Sequence, residues 1–219
     1  MSPSHRRRLL LAALAVGSPA AAVVPASTGA AATTTSCASR VAAAAKRTDA
    51  GGTFNRVARS SSVQVFAPKG AGFGAYHYAC WARTGALHRF ARNSTGTAST
   101  DVLTVSIVVR GDALAYRTAS RGDRSRDRFV VRDGRTGKVL RDTGEVTTSE
   151  KGGPRSDQLV LLPGAVIAWS AAGSGVHVTD ADGDHVLAPA ADGRATKLST
   201  TTRTVSWTSG GERHHAPLP

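Results

Sequence analysis

One segment type recurs along this chain, and it restricts the fold more than any other feature. RFVVRDGRTGKVLR (Arg128 to Arg141) and GVHVTDADGDHVLA (Gly175 to Ala188) share a β-branched run, an Asp-containing turn, a glycine and a second run. CWARTGALHRF (Cys80 to Phe90) fits the same template around Gly85. Gly137 follows Gly85 by 52 residues and Gly183 follows Gly137 by 46. Segments ending in an aromatic recur in step with them: ALAY (Ala113 to Tyr116), VIAW (Val166 to Trp169) and TVSW (Thr204 to Trp207). Repeats of about 40 to 50 residues, each with about four strands, are the sequence pattern of propeller blades.

The rest of the chain is punctuated in the same way. Short β-branched or aromatic runs between Gly, Asp, Ser and Thr clusters predict strands at Phe54 to Arg59, Val63 to Ala67, Ala75 to Ala82, Leu103 to Val109, Leu159 to Leu162 and Thr204 to Thr208, among others. The only helical candidate is the short, Ala-rich stretch Ala38 to Arg47, which ends before Gly51 and Gly52. The expected class is therefore all-β and propeller-like, with about three full blade-type repeats and a partial fourth, Ala195 to Leu218. A closed ring usually takes about 4 to 8 blades. This leaves a minimal four-bladed ring, an open array or a compact non-propeller β fold, and Phe54 to Arg59 is a candidate to complete the last repeat.

At 219 residues with 41% hydrophobic and 20% charged positions, the chain suits one modest globular domain, which excludes collagen-like or wholly disordered classes. The N-terminus carries Arg6, Arg7 and Arg8, then the apolar run Leu9 to Val16, then small residues with an A-x-A match ending at Ala32. This is the secretory signal pattern, and the apolar run is far short of the roughly 20 residues that span a bilayer. The expected organisation is a signal peptide over 1–32, an N-terminal segment over 33–52 and a single β domain over 53–219. The mature chain is expected to be monomeric, without a transmembrane segment, and secreted to the medium or the cell wall. In an oxidising compartment the two cysteines, Cys37 and Cys80, most simply form one disulfide, tying the N-terminal segment to a strand.

An early cysteine after a signal peptide, SVQVFAP, YACWARTGALHRF, GDALAY, VVRDGRTGKVL and a final VSWTSGG together resemble the uncharacterised secreted β-propeller-like proteins of actinobacteria, with PD40/WD40-like repeats. The resemblance runs from about Cys37 to Leu218. It implies an exported propeller-like fold and carries no catalytic residues.

Charge suggests partners. The formal net charge is +13, and losing Arg6, Arg7 and Arg8 with the leader reduces it to +10. The densest cluster is Arg117, Arg121, Arg124, Arg126, Arg128, Arg132, Arg135, Lys138 and Arg141, interrupted by Asp123, Asp127 and Asp133. Such a strip is a candidate polyanion-binding surface for an anionic cell-wall polymer, anionic lipid or extracellular nucleic acid. Phe129 is the only aromatic among these residues, which argues against base stacking and sequence-specific nucleic-acid reading. The alternative is that these are ordinary solvated turn residues.

No H-E-x-x-H, G-x-S-x-G or P-loop pattern occurs. Asp180, Asp182 and Asp184 form a D-x-D-x-D run beside His185, a candidate calcium site through oxygen. Gly183 stands fourth in it where an EF-hand loop has its glycine sixth, so a solvated hairpin turn competes with the metal reading. Asp180 or Asp184 with His214 is the one pairing that would serve a secreted hydrolase or lyase acting in a propeller channel. Tyr116, Trp169 and Trp207 are expected to be blade core, with a glycan-stacking ring as the alternative. The reading is thus a non-enzymatic binding or structural module of the cell envelope, with the hydrolase or lyase as its competitor.

Overall fold

The computed structural model describes residues 35–48, 52–69, 74–94, 101–121, 125–148, 159–171, 173–189 and 195–219. The expected leader over 1–32 and its expected cleavage site lie outside the described residues. So does Arg124, and for Arg121 only the backbone is described.

One helix, α1 (Cys37–Thr48), precedes sixteen described strands. Sheet 1 is the antiparallel meander β1 (Phe54–Arg59), β2 (Val63–Pro68), β3 (Tyr76–Trp81) and β4 (Leu87–Arg92). Sheet 2 is β5 (Asp101–Arg110), β6 (Ala113–Arg121), β7 (Ser125–Asp133) and β8 (Val139–Asp142), with β9 (Val146–Thr148) also paired to β7. Sheet 3 is β10 (Leu159–Leu161), β11 (Ile167–Ala171), β12 (Gly175–Thr179) and β13 (Asp184–Ala188). Sheet 4 is β14 (Thr196–Thr200), β15 (Thr204–Ser209) and β16 (Glu212–Pro217).

The repeated segments are the β3–β4, β7–β8 and β12–β13 hairpins. The glycine in the first two turns is a conformational requirement. Gly85 and Gly137 sit at φ +71° and +73°, and their amides donate to Trp81 and Asp133 carbonyls. A Cβ on Gly137 would come within 2.8 Å of the His88 ring, whose Nε2 lies 2.8 Å from the Arg135 carbonyl, so this turn also seats sheet 2 on sheet 1.

The sheets stack through their side-chain alternation, since successive residues of a strand face opposite neighbours. Leu114, Tyr116 and Val130 pack onto Val63, Val65, Ala79, Trp81 and Phe90 of sheet 1. The opposite face of sheet 2, with Ala115, Phe129 and Val131, meets Leu159, Ile167 and Trp169 of sheet 3. Ala168, Val176 and Val178 then meet Leu198, Val205 and Trp207 of sheet 4. This explains why all five residues of β11 are buried.

The aromatic of each second strand therefore points back at the preceding layer: Trp207 at sheet 3, Trp169 at sheet 2, Tyr116 at sheet 1. Sheet 1 has the same feature in Phe66, paired with Tyr78 as Tyr116 is paired with Val130. Phe66 and Tyr78 pack against Cys37 and Val41 of α1. The helix thus stands where a preceding sheet would stand. Sheet 4 ends the stack differently: Thr204, Ser206 and Thr208 alternate with the inward Val205 and Trp207 and need no cover. Distinct end layers of this kind are what stacked repeats require.

β1 completes sheet 1 rather than the last repeat. It pairs with β2, while β15 pairs with β14 and β16. None of the four described sheets is closed through a fourth-to-first strand pairing.

His77 lies on the interior face of β3 beside Phe90, with ring centroids 5.8 Å apart, and its Nδ1 is buried without a hydrogen-bond partner among the described residues. Burial lowers its pKa to about 4. The folded state thus holds the neutral ring, and the unfolded chain takes the proton first as pH falls. Stability is fully present above about pH 6.5 and declines by about 3 kcal/mol as pH falls through the window to about 4. Urea midpoints measured across that range should drop, and the drop should flatten in His77→Leu.

Candidate functional site

The strip in sheet 2 does not form a free cationic face. Directly paired residues of β6 and β7 share a side, so Arg117, opposite Phe129, faces sheet 3. It is 3% exposed and donates to Asp127 at 2.7 Å, with Asp127 equally enclosed. Its guanidinium also lies 5.9 Å from the Phe129 ring. Arg117 is therefore an interior structural group and not a surface contact.

Arg126 and Arg128 occupy the other side of β7, which is solvated beyond Val130. β8 and β9 together flank β7, and the end of β8 and the connection that follows it bring one acid each alongside. Arg126 pairs with Glu145. Arg128 donates through Nε and a terminal nitrogen to both oxygens of Asp142, and this bond holds the Asp142 carboxyl below its usual range. Arg132 is spent on the Tyr116 hydroxyl and the Gly137 carbonyl. Only Arg135 and Lys138, in the β7–β8 turn, stand exposed without an ion pair among the described side chains of the strip.

A longer series of basic residues without ion pairs sits one layer away. From Cys37 to Arg92 the chain has nine basic residues and one acid, Asp49, which lies outside the described residues. None of the nine has an ion pair among the described residues. Lys46 and Arg47 end α1, Arg56 and Arg59 lie on β1, Lys69 follows β2, and Arg89 and Arg92 lie on β4. The guanidiniums of Arg89 and Arg92 lie 4.8 and 5.4 Å from the Tyr76 ring, held by an aromatic rather than by a carboxylate.

The aspartates of sheet 3 do not converge. Asp180 Oδ1 accepts the amides of Asp182 and Gly183 and faces His185 Nε2 at 3.2 Å, which makes it the turn's own cap. Those bonds, led by the Asp182 amide, lower its pKa. Asp184 points away to His177 Nδ1 and to the Thr179 hydroxyl, at 2.7 and 2.8 Å. No group of three metal-ligating side chains stands together among the described residues. The calcium reading of Asp180, Asp182 and Asp184 gives way to the turn, because the turn amides and the histidines engage Asp180 and Asp184.

The hydrolase pairing is likewise not assembled. His214 stacks on Trp207 in sheet 4, with ring centroids 5.8 Å apart, while Asp184 is engaged by His177, whose Nε2 faces the Ser174 carbonyl. Trp169 stacks on His177 at 4.1 Å and donates to Thr179. The network locks the centre of sheet 3. Tyr116, Trp169 and Trp207 are 4%, 1% and 7% exposed, which makes them core and excludes a glycan-stacking ring.

Two described cavities remain. One, of about 250 Å³, lies between sheets 3 and 4, lined by Leu162, Val178, Asp180 and Thr202 among others. The other, of about 340 Å³, lies where α1 meets sheet 1 and includes Arg40, Arg56 and Arg83. Sequence reading missed the second because its arginines are scattered along the chain. The near absence of acids between Cys37 and Arg92 was the available signal.

No family model matches the sequence, and no curated protein does. Among solved structures, the computationally designed Ika4 protein is 13% identical over 77% of this chain and 92% of its own, with a TM-score of 0.45. BamB from Moraxella catarrhalis is 12% identical over 75% of this chain and 85% of its own, with a TM-score of 0.28. No described helix is long and apolar enough to cross a membrane.

Proposed function

We propose that this protein is an exported, non-enzymatic binding module of the cell envelope that holds anionic polymer at the cationic end of its stack, α1 and sheet 1. The four meanders read as blades of a propeller-like array, open, with α1 in the place of the blade before the first. The carrying observation is the contrast in pairing. The basic residues from Arg40 to Arg92 have no ion pair among the described residues, whereas Arg117, Arg126 and Arg128 of the strip each meet a carboxylate. Unpaired arginines release condensed counterions on meeting a polyanion, and arginines already neutralised add little. The Cys37–Cys80 disulfide is in keeping with an oxidising compartment.

Heparin affinity in a salt series tests the reading. Binding should weaken as salt rises, and reversing Arg59, Arg89 and Arg92 to Glu should lower the slope by about one per lost contact. Reversing Arg126 and Arg128 should change it little. Retention independent of salt, or lost only with the strip variants, would move the surface elsewhere.

A further inference from the structure

The cavity between α1 and sheet 1 is a solvent-open cleft that differs from the surrounding cationic surface in the set of groups converging on it. Arg40 comes from the helix, Arg56 from β1 and Arg83 from the β3–β4 turn, and no carboxylate lines the space. Three arginines from separate elements repel one another, and among the described residues no acid of the protein balances them there. Arg40 is held in place: its Nε donates to the Thr35 carbonyl at 3.1 Å, and it lies across Gly85, where any Cβ would approach that nitrogen to 2.4 Å. The bond uses Nε and leaves the terminal nitrogens for a ligand. Ser36, Gln64 and Thr84 add hydroxyl and amide groups to the wall. At about 340 Å³ the space exceeds what a bare oxyanion needs and falls at the small end of ligand pockets, which run from about 300 to 1,000 Å³.

We propose that Arg40, Arg56 and Arg83 form a discrete oxyanion site that takes a phosphate group carried on a small polyol. The guanidiniums supply planar, charge-assisted donors to the phosphate oxygens, and Ser36, Gln64 and Thr84 bond the polyol hydroxyls. The first turn of α1, with Cys37 and Ala38 on the wall, adds its positive end. The inference rests on the cationic-end reading and specifies one pocket within it. Such a phosphate arrives either as a free phosphorylated polyol or as the repeating unit of an anionic polymer.

Calorimetric titration of the disulfide-intact protein with glycerol 3-phosphate, inorganic phosphate and sulfate tests the site. Glycerol 3-phosphate is expected to bind at one site, several-fold tighter than inorganic phosphate. Arg40→Gln, Arg56→Gln and Arg83→Gln should each weaken it about tenfold or more, the loss of one charge-assisted bond. Arg203→Gln in sheet 4 should leave it unchanged, and the exposed Arg56 and Arg83 variants should keep the ligand-free melting temperature. Absence of saturable binding, or affinity unmoved in the three variants, overturns the site. Equal affinity for inorganic phosphate overturns the polyol assignment. In a competition arm, poly(glycerol phosphate) displaced by glycerol 3-phosphate identifies the polymer unit as ligand, and polymer that stays bound identifies the free compound. Arg59, Arg89 and Arg92 do not line the cavity. Loss of heparin dependence on those residues with glycerol 3-phosphate binding intact would therefore remove the polymer reading and leave the site standing.

Discussion

Asp127→Ala should lower the unfolding free energy by about 3–5 kcal/mol, the range for breaking a buried ion pair from one side. Asp127 and Arg117 are each 3% exposed, between sheets 2 and 3 and next to Phe129. Removing the carboxylate strands a guanidinium that cannot be deprotonated in an apolar layer, and its desolvation cost then goes unmet. The penalty belongs to the unpaired charge rather than to the pair, so the double change Arg117→Met with Asp127→Leu should recover most of the loss. The exposed pair Arg126 with Glu145 provides the contrast, and Glu145→Ala should cost under about 1 kcal/mol. Urea denaturation with an unchanged m-value reads all three variants. Equal small losses at Asp127 and Glu145 would mean that Arg117 finds water in the folded protein.

Removing the Cys37–Cys80 disulfide should cost about 4 kcal/mol, the chain-entropy figure for a loop closed across a separation of 43 residues. The structural consequence is local. α1 covers Phe66, Tyr78 and Cys80 through Val41, with Ala44 packed beside it, together with the disulfide itself. A 12-residue helix is marginal by itself in water. The Cys37→Ser, Cys80→Ser variant should therefore lose the helix first, before the sheets, and bind a dye for exposed apolar surface at urea concentrations where the oxidised protein does not. Coincident loss of helix and sheet in that variant would show that the cap and the stack unfold as one unit.

The elements of this fold were legible where local chemistry fixes them. Gly85 and Gly137 mark turns because each must take a positive φ, and Tyr116, Trp169 and Trp207 mark second strands because each fills the space between two layers. Phe66 belonged to the same series but escaped it, since its partner is a helix rather than a sheet and the spacing gives no sign of that exchange. The arginine strip shows the opposite case. Its density was plain in the sequence, yet Asp127, Asp142 and Glu145 reach Arg117, Arg128 and Arg126 only once β6, β7, β8 and β9 align. Charge counted along the chain pointed to the cluster from Arg117 to Arg141; charge counted after pairing shifts the weight to α1 and sheet 1, whose basic residues have no ion pair among the described residues. The turn at Asp180 was legible too, because an Asx-type cap needs only residues two and three positions away.

Hydrogen exchange with and without bound polyphosphate locates the binding surface directly. Protection of amides in residues 37–92, strongest around α1 and the β3–β4 turn and abolished by high salt, is the expected result. Protection confined to residues 117–141, or uniform along the chain, would contradict binding at the cationic end of the stack.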